Sequence, residues 1–179
     1  MAYVDPQTIH NPTTGGIAPA SWGDGIRDDL EYLARNKPHA RVRNASNISI
    51  ANSTATALTF DTERYDVGGC HSTSSNTSRL TVPSGEGGKY LAGGGVRWAA
   101  NATGWRNLQI RLNGATPIAS IGANAVSVGL DHEMNITTEY ALSAGDYLEL
   151  VVTQTSGGAL NVLTSAAVSP EFWFRWVAI

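Results

Sequence analysis

The sequence is poor in cysteine and in charge. Cys70 is the only cysteine among 179 residues, which excludes a disulfide bond within the chain and a zinc site built from its cysteines. Charged residues make up 15% of the chain, against roughly 25% in an average globular protein. Glycine, serine, threonine and asparagine take their place, and this composition is typical of β-sandwich proteins with many turns.

Several kinds of residue run are also missing. There is no cluster of lysine and arginine and the net charge is −3, so the sequence offers no track for nucleic-acid phosphates. No apolar run approaches the roughly 18–20 residues of a membrane span. The opening residues, MAYVDPQTIHNP, have neither a basic nor an apolar signal region. We therefore expect a protein made in the cytoplasm without a signal peptide.

One helix is predicted near the start of the chain, over Ser21–Asn36. Ser21 is a suitable N-cap, and Pro38 ends the helix. The apolar side chains that share one helical face are Trp22, Ile26, Leu30 and Leu33. Because so short a helix is marginal alone, this face needs a partner: its own β domain, another protein or copies of itself. The polar, turn-rich segment Met1–Ala20 before it is predicted as an extended arm.

The rest of the chain is predicted as short strands joined by turns. Trp105–Leu112 alternates apolar and polar residues, and Asn113-Gly114 after it is a strong hairpin signal. Gly93–Gly95 lies inside the predicted strand Lys89–Ala100, where it indicates a bulge or a close approach. About eight to ten strands, spaced by about 8–12 residues, predict an all-β sandwich or jelly roll.

Five segments together carry a family resemblance. They are FDTERYDVGG (Phe60–Gly69), LTVPSGEGGKYLAGGGVRW (Leu80–Trp98), LQIRLNG (Leu108–Gly114), LSAGDYLELVVTQ (Leu142–Gln154) and PEFWFRWVAI (Pro170–Ile179). In order and spacing they resemble the C1q/TNF-like domain, a jelly roll that assembles as a compact trimer. This resemblance implies a C1q/TNF-like jelly-roll knob over residues 41–179 and a homotrimer. No Gly-X-Y run is present, so the collagen stalk of complement-type members is missing.

The leading segment has a resemblance of its own. PASWGDGIRDDLEYLA (Pro19–Ala34) is similar to the openings of many tailed-bacteriophage virion proteins, where an ASWGD-x-(I/V)R element precedes a fibre or knob. This resemblance implies a virion surface protein, on the capsid or the tail, that is anchored by residues 1–40. The implied anchoring side chains are Trp22, Ile26, Leu30 and Leu33. Release of phages by lysis would explain an extracellular-type β module without a secretion signal.

Two short sequences carry reactive side chains. Asp131-His132-Glu133 resembles a metal or acid–base cluster, but on a strand only Asp131 and Glu133 would share a face. The alternatives there are a solvated strand end and a calcium or axial site built from three copies. Cys70-His71 lies in a polar loop, where adjacent residues rarely orient a nucleophile and its base. With no evident acid–base pair of carboxylates, we predict no enzyme, no catalytic or metal residues and no cofactor.

The tryptophans are the candidates for a sugar-binding surface. Aromatic residues in β-sandwiches lie more often in the core than on a ligand surface, and this alternative applies to Trp98, Trp105, Trp173 and Trp176. Trp173 and Trp176 have opposite parity, so one is predicted to face the core or a trimer interface and the other to face outward. Trp105 and Trp176 are predicted as the possible ligand surface. The six Asn-x-Ser/Thr triplets are the chance product of turns rich in these residues.

Together these patterns favour a non-enzymatic structural protein of a tailed phage. Its trimeric knob would be anchored by the N-terminal segment to the capsid, as a decoration or head fibre, and would aid adhesion to the host surface. The alternative is a receptor-binding or carbohydrate-binding module of a tail fibre or tail tip. The expected partners are copies of the chain itself, phage capsid or tail proteins and host surface glycans, with no nucleic acid and no membrane.

Overall fold

A computed structural model of the protein describes residues 20–126, 130–164 and 170–179. The chain separates into two compact units, Met1–Lys37 and Pro38–Ile179. Apart from Ala20, the predicted N-terminal arm lies outside the described residues. No helix within the described ranges is both long and apolar enough to cross a membrane.

The first unit contains the predicted helix. Its α-helix, α1, spans Ala20–Glu31, and a π-helical segment, Tyr32–Asn36, continues it. Arg35 forms an ion pair with Glu31 one turn earlier, at 3.2 Å, and the Lys37 ammonium lies 4.8 Å from the centre of the Tyr32 ring. Pairs of this spacing stabilise a helix surface by a few tenths of a kcal/mol. The prediction of one short helix is confirmed, with the difference that its last five residues are π-helical.

The second unit is an antiparallel β-sandwich. Its first six strands are β1 (His39–Arg43), β2 (Ile48–Ile50), β3 (Thr56–Ala57), β4 (Thr62–Val67), β5 (Arg79–Thr81) and β6 (Gly88–Trp98). The other six are β7 (Trp105–Leu112), β8 (Thr116–Asn124), β9 (His132–Leu142), β10 (Tyr147–Gln154), β11 (Leu160–Val162) and β12 (Glu171–Ala178). The predicted all-β class with one short preceding helix is confirmed.

The strands form two sheets. Sheet A has seven strands, in which β6 lies between β9 and β12, and β12 is followed by β1 and then β4 at the edge. The short strands β11 and β2 continue this sheet from the end of β6. Sheet B has five strands, with β10 and β7 in its middle and β8 at one edge. Side chains alternate along these strands, so each sheet has one face in the core and one face outward.

The core lies between the two sheets and is rich in aromatic residues. Phe172 and Phe174 of β12 point inward from sheet A and are fully buried. The Phe172 ring stacks on Phe60 with centroids 5.9 Å apart, and Phe174 meets Tyr90 edge to face at 5.0 Å. Leu108 and Ile110 of β7 complete the contact from sheet B. Since the large residues of both sheets meet here, the opposite faces of the sheets are left for contacts outside the core.

The glycine run of β6 is part of a regular strand. Gly93–Gly95 pairs without interruption with β12 on one side and β9 on the other, so no bulge is present there. A Cβ atom at Gly93 would lie 2.5 Å from Cζ2 of Trp173, and one at Gly94 would lie 2.8 Å from Cδ2 of Leu150. Both distances are too short for real atoms, so of the two alternatives the structure shows the close approach.

Candidate functional site

The outer face of sheet A carries a shallow groove of about 200 Å³, here called the glycine groove. Its floor is the backbone of β6 at Gly94 and Gly95, next to Gly93, which lies under the Trp173 ring. One wall is Trp173 of β12 and the other is formed by Asn135 and Thr137 of β9. The groove exists because β6 has glycines here, whereas the neighbouring strands β12 and β9 carry side chains on this face.

The pairing register explains how glycine makes this space. Gly93 lies opposite Trp173 and Gly95 lies opposite Glu171. The Trp173 ring leans over the position that a Cβ would occupy at Gly93, whereas at Gly95 the tip of Asn135 from β9 occupies that position. A larger residue at Gly93 would displace the Trp173 ring from this position.

One end of the groove holds a buried carboxylate. Glu171 is only 5% exposed although it lies on the outer face of the sheet. Its Oε2 accepts hydrogen bonds from Arg41, with 2.8 Å to Nε, and its Oε1 accepts one from Arg64. Two arginines for one carboxylate leave a net positive charge, and both guanidinium groups keep part of their surface in water. The cluster stabilises this face electrostatically and contains no titratable acid–base pair.

Only one part of this groove was predicted from the sequence. The glycine run was predicted as a bulge or a close approach, whereas Arg41, Arg64 and Glu171 were not predicted as site residues. Their ion pairs join positions 130 and 107 residues apart in the chain, and no local pattern encodes such a contact.

The structure does not bring Trp105 and Trp176 together as one surface. Trp176 lies on sheet A opposite Tyr90, near the start of β6, and packs against the core. Trp105 opens β7 on sheet B, after the loop that follows the end of β6 at Trp98. The two rings therefore lie at opposite ends of the sandwich. Trp98 is part of the core, and Trp173 lies on the outer face in the groove.

Both carboxylates of the Asp131-His132-Glu133 sequence lie next to the guanidinium group of Arg97. Asp131 Oδ2 lies 2.9 Å from Nη2 of Arg97, and Glu133 Oε1 lies 3.8 Å from its Nε. As expected from strand parity, the two carboxylates share a face, while His132 pairs across from the inward-facing Trp98. Among the described residues, no group of three or more His, Cys, Asp or Glu side chains could hold a metal ion.

Cys70 and His71 are both held by other residues. Cys70 is buried, its thiol donates to the carbonyl of Val67 at 3.4 Å, and its pKa is raised far above the usual range by burial and by nearby Asp66. The His71 ring nitrogens contact Glu63 Oε1 at 2.9 Å and the carbonyl of Thr77 at 3.2 Å. The thiol therefore stays protonated and the His71 nitrogens are directed at Glu63 and Thr77, so Cys70 and His71 do not form a nucleophile and its base.

The predicted anchoring residues lie in the first unit. Ile26, Leu30 and Leu33 are all exposed there, and the side chain of Trp22 lies outside the described residues. An exposed apolar stripe on a short helix is the arrangement that docking to another surface requires. The anchoring role of these four residues stays a prediction.

No protein family model matches the sequence, and no curated protein sequence matches it. Solved structures do match. Eiger TNF from S. frugiperda has a TM-score of 0.57 at 13% identity, over 80% of this chain and 94% of that chain. Murine APRIL at pH 5.0 has a TM-score of 0.58 at 12% identity, over 79% of this chain and 99% of that chain.

The globular domain of the zebrafish complement 1qA protein matches with a TM-score of 0.53 at 16% identity, over 79% of this chain and 98% of that chain. At such low identity the likeness shows the fold alone. It agrees with the two-sheet antiparallel topology and with the segments that carried the resemblance in the sequence. The chain therefore has the C1q/TNF-like jelly-roll fold, preceded by one short helix.

Proposed function

We propose that the chain is a non-enzymatic structural protein whose second unit assembles as a homotrimer. The C1q/TNF-like fold supports this proposal, because domains of this fold are typically trimeric and non-enzymatic. The observation that carries the proposal is the pair of complementary surfaces on the sandwich, the glycine groove and the open edge.

The open edge is the side of the sandwich between β8 and β9. Both are edge strands, since in the described structure β8 pairs only with β7, and β9 only with β6. Ile121 of β8 and Tyr140 of β9 lie on the inner faces of their sheets, yet their side chains are 41% and 40% exposed. The nine residues of β8 carry no charge. A long, uncharged edge with exposed apolar side chains favours association.

An edge that packs on the groove of the next copy uses two different surfaces on each subunit. Such a contact is heterologous, and it produces a closed ring when the rotation between neighbours completes a circle. Three copies are the number implied by the fold. In this arrangement the apolar edge covers the groove between Trp173 and β9, and the partly hydrated Arg41 and Arg64 lie at the rim.

Substitutions at the edge test this assembly. Ile121→Glu and Tyr140→Glu place a charge on the edge, and each should give a folded monomer by light scattering after size exclusion, where the wild type is a trimer. Ser84→Glu adds the same charge in an exposed turn and should remain trimeric. Circular dichroism confirms that each variant is folded. A monomeric wild type, or trimers of both folded edge variants, would refute the proposal.

We further propose that this trimer is a virion surface protein of a tailed phage, held to the capsid or tail by its first unit. Its support is the phage-like segment Pro19–Ala34 and the exposed stripe of Ile26, Leu30 and Leu33. Deletion of Met1–Lys37 should leave a folded trimer that no longer joins virions. The deletion must stop before Pro38, because this buried residue accepts a 2.9 Å hydrogen bond from Trp176 N.

The full chain offers a milder test of the anchor. Leu30→Asp should weaken incorporation into virions and leave the unfolding of the second unit unchanged, because Leu30 belongs to the first unit. Asp28→Ala, on the same helix, is the matched control and should incorporate normally. Normal incorporation of both the deletion and Leu30→Asp would show that the anchor lies elsewhere.

A further inference from the structure

The indole of Trp105 lies flat across a glycine on the outer face of sheet B. A Cβ atom at Gly122 of β8 would lie 2.6 Å from Cζ2, 2.8 Å from Nε1 and 2.9 Å from Cε2 of Trp105. The ring therefore occupies the place of the missing side chain, with one face against the backbone of β8. Because Trp105 is 38% exposed, the face turned away from β8 is open to a ligand.

The backbone of Trp105 is held from three sides. Its N–H donates to Thr155 Oγ1 at 2.8 Å, and its carbonyl accepts from Thr155 N at 3.0 Å and from Nη1 of the buried Arg106 at 3.1 Å. Gly104, with a φ of +75°, leaves room for the Thr155 carbonyl against the chain just before the ring. A ring fixed in this way loses little conformational entropy when a ligand stacks on it.

The surface around the ring carries uncharged polar side chains. In the register of sheet B, the outward neighbours are Thr153 and Asn107 in one row, the buried Val151 with Gln109 and Ser120 in the next, and Asn124 beside Trp105 itself. The buried Asn107 amide donates to Ser120 Oγ at 3.1 Å and to the Ile121 carbonyl at 3.0 Å, so it holds this surface in place. The Gln109 amide donates to Ser120 Oγ at 3.3 Å, which leaves Gln109, Ser120 and Asn124 as the polar groups open to a ligand beside the ring.

Stacking on an aromatic ring does not by itself distinguish a nucleic-acid base from a neutral ligand, so the charges around the ring decide between them. Nucleic-acid bases also stack on tryptophan, but their phosphates require cations. The first charged side chain along β7 on this face is Arg111, and its Nε donates to Gln109 Oε1 at 2.9 Å. A ligand with an apolar ring face and neutral hydroxyl groups at its edge satisfies both the indole and the surrounding amides.

We propose that Trp105 and the uncharged polar residues around it form a binding site for a neutral saccharide. One pyranose ring stacks on the open face of Trp105, and its hydroxyls exchange hydrogen bonds with the side chains of Gln109, Ser120 and Asn124. The site gives a location and a ligand class to the carbohydrate-binding alternative. The glycine groove lies on the other sheet, but β8, which carries Gly122 beneath the ring, also belongs to the open edge, so this site lies next to the proposed trimer contact.

Binding of neutral glucan, mannan and galactan oligosaccharides to the full chain tests the site, with sulfated heparin fragments as the anionic comparison. The wild type should bind at least one neutral oligosaccharide on an array and in solution calorimetry. Trp105→Ala should weaken that binding about tenfold or more, which corresponds to about 1.4 kcal/mol. Trp105→Phe should retain part of it, and Tyr65→Ala, which removes an exposed aromatic ring from sheet A, should bind as the wild type does.

A second measurement covers the case in which Trp105→Ala fails to fold. The wild-type chain is labelled with 5-fluorotryptophan, and the Trp105 resonance is assigned as the one that is missing from the spectrum of Trp105→Phe. On addition of the oligosaccharide the Trp105 resonance should shift, and the Trp98 resonance should not. Absence of binding to all neutral oligosaccharides, preference for heparin, or binding that leaves the Trp105 resonance unmoved would each overturn the proposal. In those cases the ring serves only to cover Gly122.

Discussion

The glycine groove predicts that two outward glycines of the same strand differ in their tolerance of a methyl group. Neither Gly93 nor Gly95 has a positive φ, so alanine strains the backbone at neither position. In Gly93→Ala the new Cβ would lie 2.5 Å from Cζ2 of Trp173 and 2.9 Å from the carbonyl oxygen of Ile136. In Gly95→Ala it would first meet the tip of the exposed Asn135 side chain, which can rotate away.

The expected magnitudes follow from these contacts. Overpacking against a ring and a fixed carbonyl costs about 1–3 kcal/mol, and replacing glycine by alanine returns about 0.4–1 kcal/mol through the unfolded state. Gly93→Ala should therefore lower the free energy of unfolding by about 0.5–2 kcal/mol. Gly95→Ala, which has only a movable side chain in its way, should leave it unchanged or raise it by up to about 1 kcal/mol.

Urea denaturation measures both changes, at one protein concentration and in the Ile121→Glu background, so that assembly does not contribute to stability. Thermal melting should agree, because 1 kcal/mol shifts the midpoint by about 2–4 °C in a chain of this size. If Gly95→Ala is destabilised as much as Gly93→Ala, or if neither changes, the packing of Trp173 over β6 is not as described.

Three further predictions concern buried polar groups. Glu171→Gln should lower the free energy of unfolding by about 1–3 kcal/mol, since Arg41 and Arg64 lose their counter-charge; a double-mutant cycle with Arg41→Met measures the coupling. Arg106→Met should cost about 1–3 kcal/mol in urea melts, because the carbonyls of Thr103 and Trp105 lose the buried guanidinium as their donor. The Cys70 thiol should resist thiol reagents until the protein unfolds. Because the pKa of Cys70 is raised in the folded state, the free energy of unfolding should fall above about pH 8.5, where the thiol ionises in the unfolded state. Cys70→Ser should reduce this pH dependence.

Local sequence patterns predicted the strands in which one face is apolar and the other is polar. β7 has the predicted bounds, Trp105–Leu112, because its apolar residues alternate and its inner side chains are buried in the core. The turn after it also follows from two residues, since Asn113 and Gly114 adopt φ values of +52° and +74°. Such features need only neighbouring residues to specify them, so one sequence is sufficient.

β1 was not predicted, for a physical reason. His39–Arg43 carries two arginines and a histidine in five residues, so its composition resembles a surface loop. It becomes a strand because Ala40 and Val42 enter the core and Arg41 reaches Glu171 at the far end of the chain. A strand stabilised by contacts at such sequence separation has no local periodicity strong enough to reveal it.

The tryptophans show the limit of parity arguments. The opposite orientations of Trp173 and Trp176 were predicted correctly, since the first lies on the outer face and the second packs against the core. The ring that was predicted for the ligand surface, Trp176, is the one that packs against the core, because which of the two faces outward depends on the sheet behind β12. The platform at Trp105 likewise depends on Gly122, which only the pairing of β7 with β8 brings beneath the ring.

A cross-link between the open edge of one copy and the glycine groove of the next tests the proposed trimer directly. In the double variant Ile121→Cys, Gly95→Cys, a short bis-maleimide should join the edge of each chain to the groove of the next, while buried Cys70 does not react. We expect a covalent trimer of the 18.9 kDa chain as the largest product on a denaturing gel, and no trimer from either single variant. Uncross-linked monomer, or an open ladder of higher species from the double variant, would contradict it.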